Sequence, residues 1–230
     1  MCYSASSSLR TSLISGAAIV YLLSSGIPHY QYIGAILIGW CGMQFAEYLL
    51  WSTNPAKGCT PMNKIVTLTV IPLVLMFQPL GTLLGSLFIQ PWNKSSPFRK
   101  QFLGWFTAFV VAAVVGFTLY FRDKSCTIVT KQYHLHWHTY KYITKDRDWG
   151  IYALWALIIV LPLFLYWDKS WLFMSALMLM PLFGFLYGYF YTDSKASLWC
   201  FYTSYTSVIA AAALATKQLG FGDALNATFK

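Results

Sequence analysis

The chain is built from long runs of apolar residues that are separated by short polar connections. A helix needs roughly 20 mainly apolar residues to cross the hydrocarbon core of a bilayer, and seven runs are about that long. The runs do not alternate between apolar and polar positions, so they predict helices rather than the strands of a membrane barrel. The predicted spans are near residues 9–27, 30–53, 62–90, 100–121, 149–167, 171–191 and 196–220.

Prolines and tryptophans mark the ends of several predicted spans. We expect Pro28 and Pro55 to follow the ends of the first and second spans, and Pro72 and Pro79 to kink the third. Tryptophan rings prefer the level of the lipid headgroups. They stand at many predicted ends: Trp51, Trp92, Trp149, Trp167, Trp171 and Trp199. The pattern predicts one all-α, seven-helix membrane domain over residues 1–230, with no soluble domain.

The polar loop 122–148 is the longest connection between predicted spans. Its residues alternate between positions 132 and 144, which predicts a short hairpin. Three histidines lie in this stretch: His134, His136 and His138. In an extended strand they point to one side, which suits a metal ion, and Cys2 is a further candidate ligand. No carboxylate or cysteine stands at a fixed spacing beside them, so an interfacial role is the favoured alternative.

Composition supports the membrane assignment. Hydrophobic residues make up 57% of the chain and charged residues 10%, whereas soluble domains carry about 25% charged residues. The high hydropathy excludes a disordered chain, and the five cysteines are too few for a secreted disulfide scaffold. We therefore expect the lipid bilayer as the main partner, with a homo-oligomer as an option and no nucleic acid. No cofactor can be named from the sequence.

The orientation of the bundle rests on two opposing signals. An odd number of spans places the termini on opposite faces, and most of the 16 basic residues fall on the N-terminal face. The positive-inside rule would make that face cytoplasmic, but only because of the basic residues in the long loop. Cys59 and Cys126 lie on the same face, and a disulfide between them would make it extracellular or lumenal. We expect an external N-terminus; two free thiols are the alternative.

Glu47 is the only glutamate of the chain and the only acidic residue well inside a predicted span. Trp40, Gln44, Glu47 and Trp51 follow one another at intervals of 4, 3 and 4 residues, so they form one stripe on the second helix. Burial favours the neutral carboxyl group. An intramembrane carboxyl of this kind is either a proton or cation site or a neutral group that joins helices by hydrogen bonds.

Further polar residues are expected to meet Gln44 and Glu47 in one cluster that opens to the N-terminal face. Gln78 precedes Pro79 in the third span, where the alternative is a structural kink. The remaining candidates form two pairs at helical i,i+4 spacing: Tyr187 with Tyr191, and Cys200 with Ser204. For tyrosines at a span end, the alternative is a place in the headgroup belt.

Several short motifs resemble a family of uncharacterised polytopic membrane proteins of giant algal viruses and algae. They are Met1-Cys2-Tyr3-Ser4, Met43-Gln44 with Glu47 and Trp51, Gln78-Pro79, His134-Leu135 with Trp137, and Ser197-Leu198-Trp199-Cys200. A bacterial family of similar size shares the Met-Cys-x-Ser start and the Gln-x-x-Glu of the second helix. The resemblance covers residues 1–200 and implies that Cys2, Gln44, Glu47, Gln78, Trp199 and Cys200 belong together. It brings no activity.

Three functions remain open from the sequence. The favoured one is a channel or transporter-like protein with an intramembrane carboxylate site at Glu47. The second is a structural or assembly protein of a membrane, including a viral membrane. The third is an intramembrane enzyme or metal-binding protein that uses Cys2 and the loop histidines. No catalytic residue can be assigned, so an enzyme is not favoured.

Overall fold

The computed structural model describes residues 4–88, 101–102, 104–111, 126–131, 133–137 and 195–220, and six residues between 183 and 191. This part of the chain is mostly helical, as the sequence predicted. The main helices are α1 (Ala5–Leu23), α2 (Pro28–Ser52), α3 (Pro61–Phe88) and α4 (Lys195–Gln218). Residues 101–102 and 104–111, and the six residues 183, 184, 186, 187, 190 and 191, are also helical.

Among the described residues, two helices, α2 and α3, are long and apolar enough to cross a membrane. This finding is consistent with a membrane protein, while the full set of seven spans stays a prediction. The predicted span 149–167 lies outside the described residues, and only six residues of the predicted span 171–191 lie inside them.

Local sequence explains where the helices begin and end. Ser4 caps α1, because its side-chain oxygen accepts a hydrogen bond from the backbone N–H of Ser7 at 3.2 Å. Gly26 follows the end of α1 with a φ of 68°, which glycine adopts without strain. The first helix ends at Leu23, five residues before Pro28. Pro28 instead begins α2, because a residue in the first turn of a helix needs no partner for its N–H group. Pro72 and Pro79 lie inside α3, as predicted.

Helix α2 lies in the middle of the described helices and contacts α1, α3 and α4. Helices α1 and α4 are parallel to each other and antiparallel to α2. At one end the Tyr21 hydroxyl donates a hydrogen bond to the Gln218 side chain, and Lys217 lies 5.9 Å from the centre of the Tyr30 ring. Further along, the Cys41 thiol lies 3.5 Å from the carbonyl oxygen of Thr203. The start of α1, the end of α2 and the start of α4 therefore lie at the same end of the bundle.

Glycines allow α2 and α3 to approach closely. A methyl group at position 39 would overlap the backbone carbonyl of Phe77, and one at position 81 would overlap the carbonyl of Ala35. At Gly85 an added methyl group would lie 2.9 Å from the Tyr32 ring. Close backbone contact through small residues is a common way to pack helices in membranes.

A short antiparallel hairpin lies at the end of the bundle where α2 ends and α3 begins. Its strands are β1 (Thr127–Val129) and β2 (Leu135–Trp137), with Thr127 opposite Trp137. Strand β1 contacts the 3₁₀ turn Pro55–Lys57 and α3, and β2 contacts α4. The long loop thus contains a hairpin, but its first strand lies before the alternating stretch from which the hairpin was predicted.

The two ends of the bundle differ in their interior. The end away from the hairpin is filled by an apolar cluster. Its buried members are Ile19, Leu22, Tyr30, Tyr32, Ile33, Ile36, Leu37, Trp40, Cys41, Leu83, Ala210 and Leu214. The buried polar side chains of α2, Gln44 and Glu47, lie on the hairpin side of this cluster. Gln44 and Glu47 are therefore closer to the hairpin end of the bundle than to the opposite end.

Candidate functional site

Glu47 and Gln44 are both fully buried in α2, with no exposed surface. Trp40 precedes them on the same stripe and is also buried, while Trp51 at the end of the stripe is partly exposed. Glu47 lies five residues before the last residue of α2, which is about 8 Å at the helical rise. The carboxyl group is therefore inside the protein but close to the hairpin end.

A cluster of hydroxyl groups lies next to this pair, where α1, α2 and α4 meet; we call it the hydroxyl cluster. The Cys41 thiol is within hydrogen-bonding reach of three serine side chains, Ser15, Ser204 and Ser207. Thr203 belongs to the same group, because its hydroxyl donates to the carbonyl of Trp40 at 3.4 Å. The predicted residue Ser204 is therefore buried against α2, within one helical turn of Gln44 along the bundle.

Ser8 adds a buried hydroxyl group at the level of Glu47. Ser15 on α1 lies beside Cys41 on α2. Because the two helices are antiparallel, seven residues towards the hairpin end lead from Ser15 to Ser8 on α1, and from Cys41 to Tyr48, the residue after Glu47, on α2. Ser8 and Ser15 share the buried stripe of α1. The Ser8 hydroxyl has no exposed surface and no hydrogen-bond partner in the described part of the chain. Ser8 was not predicted from the sequence, although its seven-residue spacing from Ser15 was a signal.

The hairpin is fastened to the bundle by a covalent bond. Cys59 and Cys126 are joined in a disulfide, with Cα atoms 5.6 Å apart. They are the two cysteines that the sequence analysis placed on one face as a candidate pair. Cys126 directly precedes β1, and Cys59 lies between the 3₁₀ turn and α3, so the bond ties the first strand to the start of α3.

A buried hydrogen-bond network fastens the same strand a second time. The Asn63 side chain donates to the carbonyl of Thr127 at 2.9 Å and accepts from the Thr127 N–H at 2.9 Å. The Thr67 hydroxyl lies 2.8 Å from the Thr127 hydroxyl and 3.2 Å from the Asn63 oxygen. All three residues are fully buried. None of the three was predicted as a site residue, although the i,i+4 spacing of Asn63 and Thr67 in an apolar helix was a visible signal.

The second strand contributes to the core around Glu47. Leu135 and Trp137 are buried, and they belong to one apolar cluster with residues of α2 and α3. The α2 and α3 members are Met43, Ala46, Leu50, Val66 and Ile71. Since Met43 and Leu50 stand one turn before and after Glu47 on α2, this cluster lies along the surface of α2 that carries the carboxyl group.

The histidines differ in their surroundings. His134 is buried, and this burial lowers the pKa of its imidazole below the usual value for histidine. His136 is only partly buried, between the buried residues Leu135 and Trp137. His138 and Cys2 lie outside the described residues. Among the residues described, no group of three metal-ligating side chains comes together, so the structure brings no support to the metal interpretation.

The tyrosine pair lies apart from the buried cluster in which we expected it. Tyr187 is 46% exposed and Tyr191 is 71% exposed, and their ring centres are 5.2 Å apart. The two rings thus contact each other along an outer helix face, as helical i,i+4 spacing allows, and do not line the interior.

Gln78 and Cys200 are the two remaining residues of the predicted cluster, and they lie on α3 and α4. Gln78 is buried beside Gly39, and Gln44 lies five residues further along α2, which is about 8 Å. Cys200 belongs to α4, one turn before Ser204, but its side chain lies outside the described part.

Comparisons with known proteins identify no relative of this chain. No family model, curated protein or solved structure matches the chain.

Proposed function

We propose that the chain is a small polytopic membrane transport protein in which Glu47 binds and releases a proton. The observation that carries this proposal is the complete burial of Glu47 and Gln44 in an apolar helix long enough to cross a membrane. Placing a carboxyl group at such a depth is costly, and intramembrane carboxyl groups commonly serve ion or proton pathways. The seven-span architecture is part of the same proposal.

The neighbourhood of Glu47 supports a proton rather than a large substrate. Ser8 at the level of Glu47 and the hydroxyl cluster beyond it offer small donors and acceptors, which suit proton transfer through hydrogen bonds. The apolar cluster fills the opposite end of the described helices. Exchange of the proton on the hairpin side is therefore the shorter route.

The disulfide supports an orientation for this protein. Disulfides persist in oxidising compartments, and Cys59 and Cys126 are bonded at the hairpin end. We accordingly assign the hairpin end, with the start of α1, to the extracellular or lumenal side of the membrane.

A structural or assembly role is the second candidate, and one observation favours it. The hydroxyl groups of Ser15, Thr203 and Ser207 donate to helix carbonyls at 2.8, 3.4 and 2.6 Å. The Ser15 and Ser207 bonds stay within α1 and α4, whereas the Thr203 bond joins α4 to α2, and polar side chains that bond across helices hold them together in membranes. In this alternative Glu47 is a neutral carboxyl group that holds helices together, and it moves no proton.

Proton uptake into liposomes separates the two candidates. The purified protein is reconstituted, a potassium gradient with valinomycin makes the lumen negative, and an internal dye reports its pH. We expect the wild type to take up protons and Glu47→Gln to fall to the level of protein-free liposomes, because glutamine keeps the shape of the protonated carboxyl but cannot release a proton.

The matched control is Ser52→Ala, an exposed position on the same helix, which is expected to transport like the wild type. Thermal unfolding of Glu47→Gln should match that of the wild type, since the amide retains most hydrogen bonds. Wild-type protein that takes up no protons, or a Glu47→Gln variant that takes them up at the wild-type rate, would refute the transport proposal.

A further inference from the structure

We infer that the hairpin is a cover over the Glu47 site, anchored through β1 and closed by the side chain of Trp137 on β2. The purpose of this cover, control of proton access, rests on the proposed function. The cover itself follows from how the two strands are attached and from what each one contacts.

Strand β1 is the anchored strand. The disulfide is formed by Cys126, the residue before Thr127. The Asn63 side chain bonds both the N–H and the carbonyl of Thr127. Together with the Thr67 hydroxyl, these bonds fix β1 to the first two turns of α3. The position of the hairpin over the bundle end is therefore set by a covalent bond and a buried polar network.

Strand β2 is the closing strand. Leu135 and Trp137 are two residues apart, so their side chains point to the same face of β2, and both are at least 95% buried. This face enters the apolar cluster that contains Met43, Ala46 and Leu50 of α2. Met43 and Leu50 stand one turn before and one turn after Glu47, so they flank the carboxyl group on one side of α2. The apolar side chains of β2 belong to the cluster that borders this side.

The location of the hairpin makes these side chains a barrier. Glu47 is about 8 Å from the end of α2 at the helical rise, and the hairpin lies at that end. On the far side, the carboxyl group is separated from the opposite end by the larger apolar cluster. Within the described part of the chain, loss of the Trp137 ring would therefore open the shorter of the two paths along the bundle between its ends and position 47.

Thiol labelling tests the cover without requiring any transport. Glu47→Cys is placed in lipid nanodiscs, where both faces are accessible, and its reaction with a trimethylammonium methanethiosulfonate reagent is followed by mass spectrometry. Ser52→Cys, exposed on the same helix, gives the rate of an uncovered thiol. The parent chain gives the background from the native cysteines.

We expect Glu47→Cys to react at least about tenfold more slowly than Ser52→Cys, and addition of Trp137→Ala to raise its rate by at least about tenfold, because loss of a large buried ring promotes local opening. The control Ile128→Ala, at an exposed position of β1, should leave the rate unchanged. Trp137→Leu, which keeps an apolar side chain, should give an intermediate rate if Trp137→Ala does not fold.

Equal rates for Glu47→Cys and Ser52→Cys would overturn the inference, and so would a rate that neither Trp137 variant changes. Slow labelling that Trp137→Ala accelerates, combined with no proton uptake by the wild type, would retain the cover and remove the transport function. Proton uptake that depends on Glu47, combined with fast labelling at position 47, would retain the transport function and remove the cover.

Discussion

Gly39→Ala is expected to lower the free energy of unfolding by about 3 kcal/mol, near the upper end of the usual cost of overpacking. The added methyl group would overlap the backbone carbonyl of Phe77, and a backbone group cannot turn aside as a side chain can. Helices α2 and α3 would have to separate along their crossing, with loss of contacts around Tyr32 and Gly85. Thermal unfolding of the purified protein in a mild detergent measures the effect.

Gly42→Ala is the matched control for this substitution. A methyl group at position 42 would meet only the Val74 side chain at 3.7 Å, which is ordinary van der Waals contact. Both substitutions raise the helix propensity of the same helix equally, so a difference between them reports the close approach. Unfolding temperatures that coincide for the two variants would contradict the α2–α3 packing described above.

Asn63→Leu is expected to destabilise the protein by about 2–4 kcal/mol, since it leaves polar groups of Thr127 without their amide partner in a buried place. Leucine has nearly the shape of asparagine, so the loss reflects hydrogen bonding rather than a cavity. The Thr127 carbonyl would lose its 2.9 Å bond, and the N–H would retain only the 3.1 Å contact to Thr67. Hydrogen exchange at the Thr127 amide should speed up together with the fall in unfolding temperature.

Thr69→Val is the control on the same helix. Thr69 is exposed, and its hydroxyl donates only to the carbonyl of Ile65 at 2.7 Å within α3, so its replacement should change stability little. If Asn63→Leu unfolds at the wild-type temperature with the Thr127 amide still protected, the network does not hold the hairpin.

Local pattern in the sequence accounts for the helices and for the burial of Glu47. The apolar runs predicted α2 and α3 because span length and hydropathy are local properties. The 4-3-4 spacing placed Gln44 and Glu47 on one stripe, and both are buried. The end of α1 was predicted at residue 27, but the helix ends at Leu23. Pro28 was interpreted as the end of a helix, although proline is equally suited to begin one.

Long-range contacts account for what the sequence could not predict. Asn63 and Thr127 are 64 residues apart, and their pairing leaves no local pattern. Strand β1 is three residues long, too short to show alternation. Tyr187 and Tyr191 share a helix face as their spacing requires, but spacing alone does not say whether that face points inwards. The direction of a face depends on neighbouring helices, which a single sequence does not reveal.

Infrared difference spectroscopy of the protein in lipid shows most directly whether Glu47 binds and releases a proton, because it observes the carboxyl group itself. Spectra are recorded over the pH range in which the protein stays folded, for the wild type, Glu47→Gln and the Gly42→Ala control. We expect a buried carboxyl band that titrates in the wild type and in Gly42→Ala and is missing in Glu47→Gln. Wild-type and Glu47→Gln spectra that coincide at every pH would contradict this expectation.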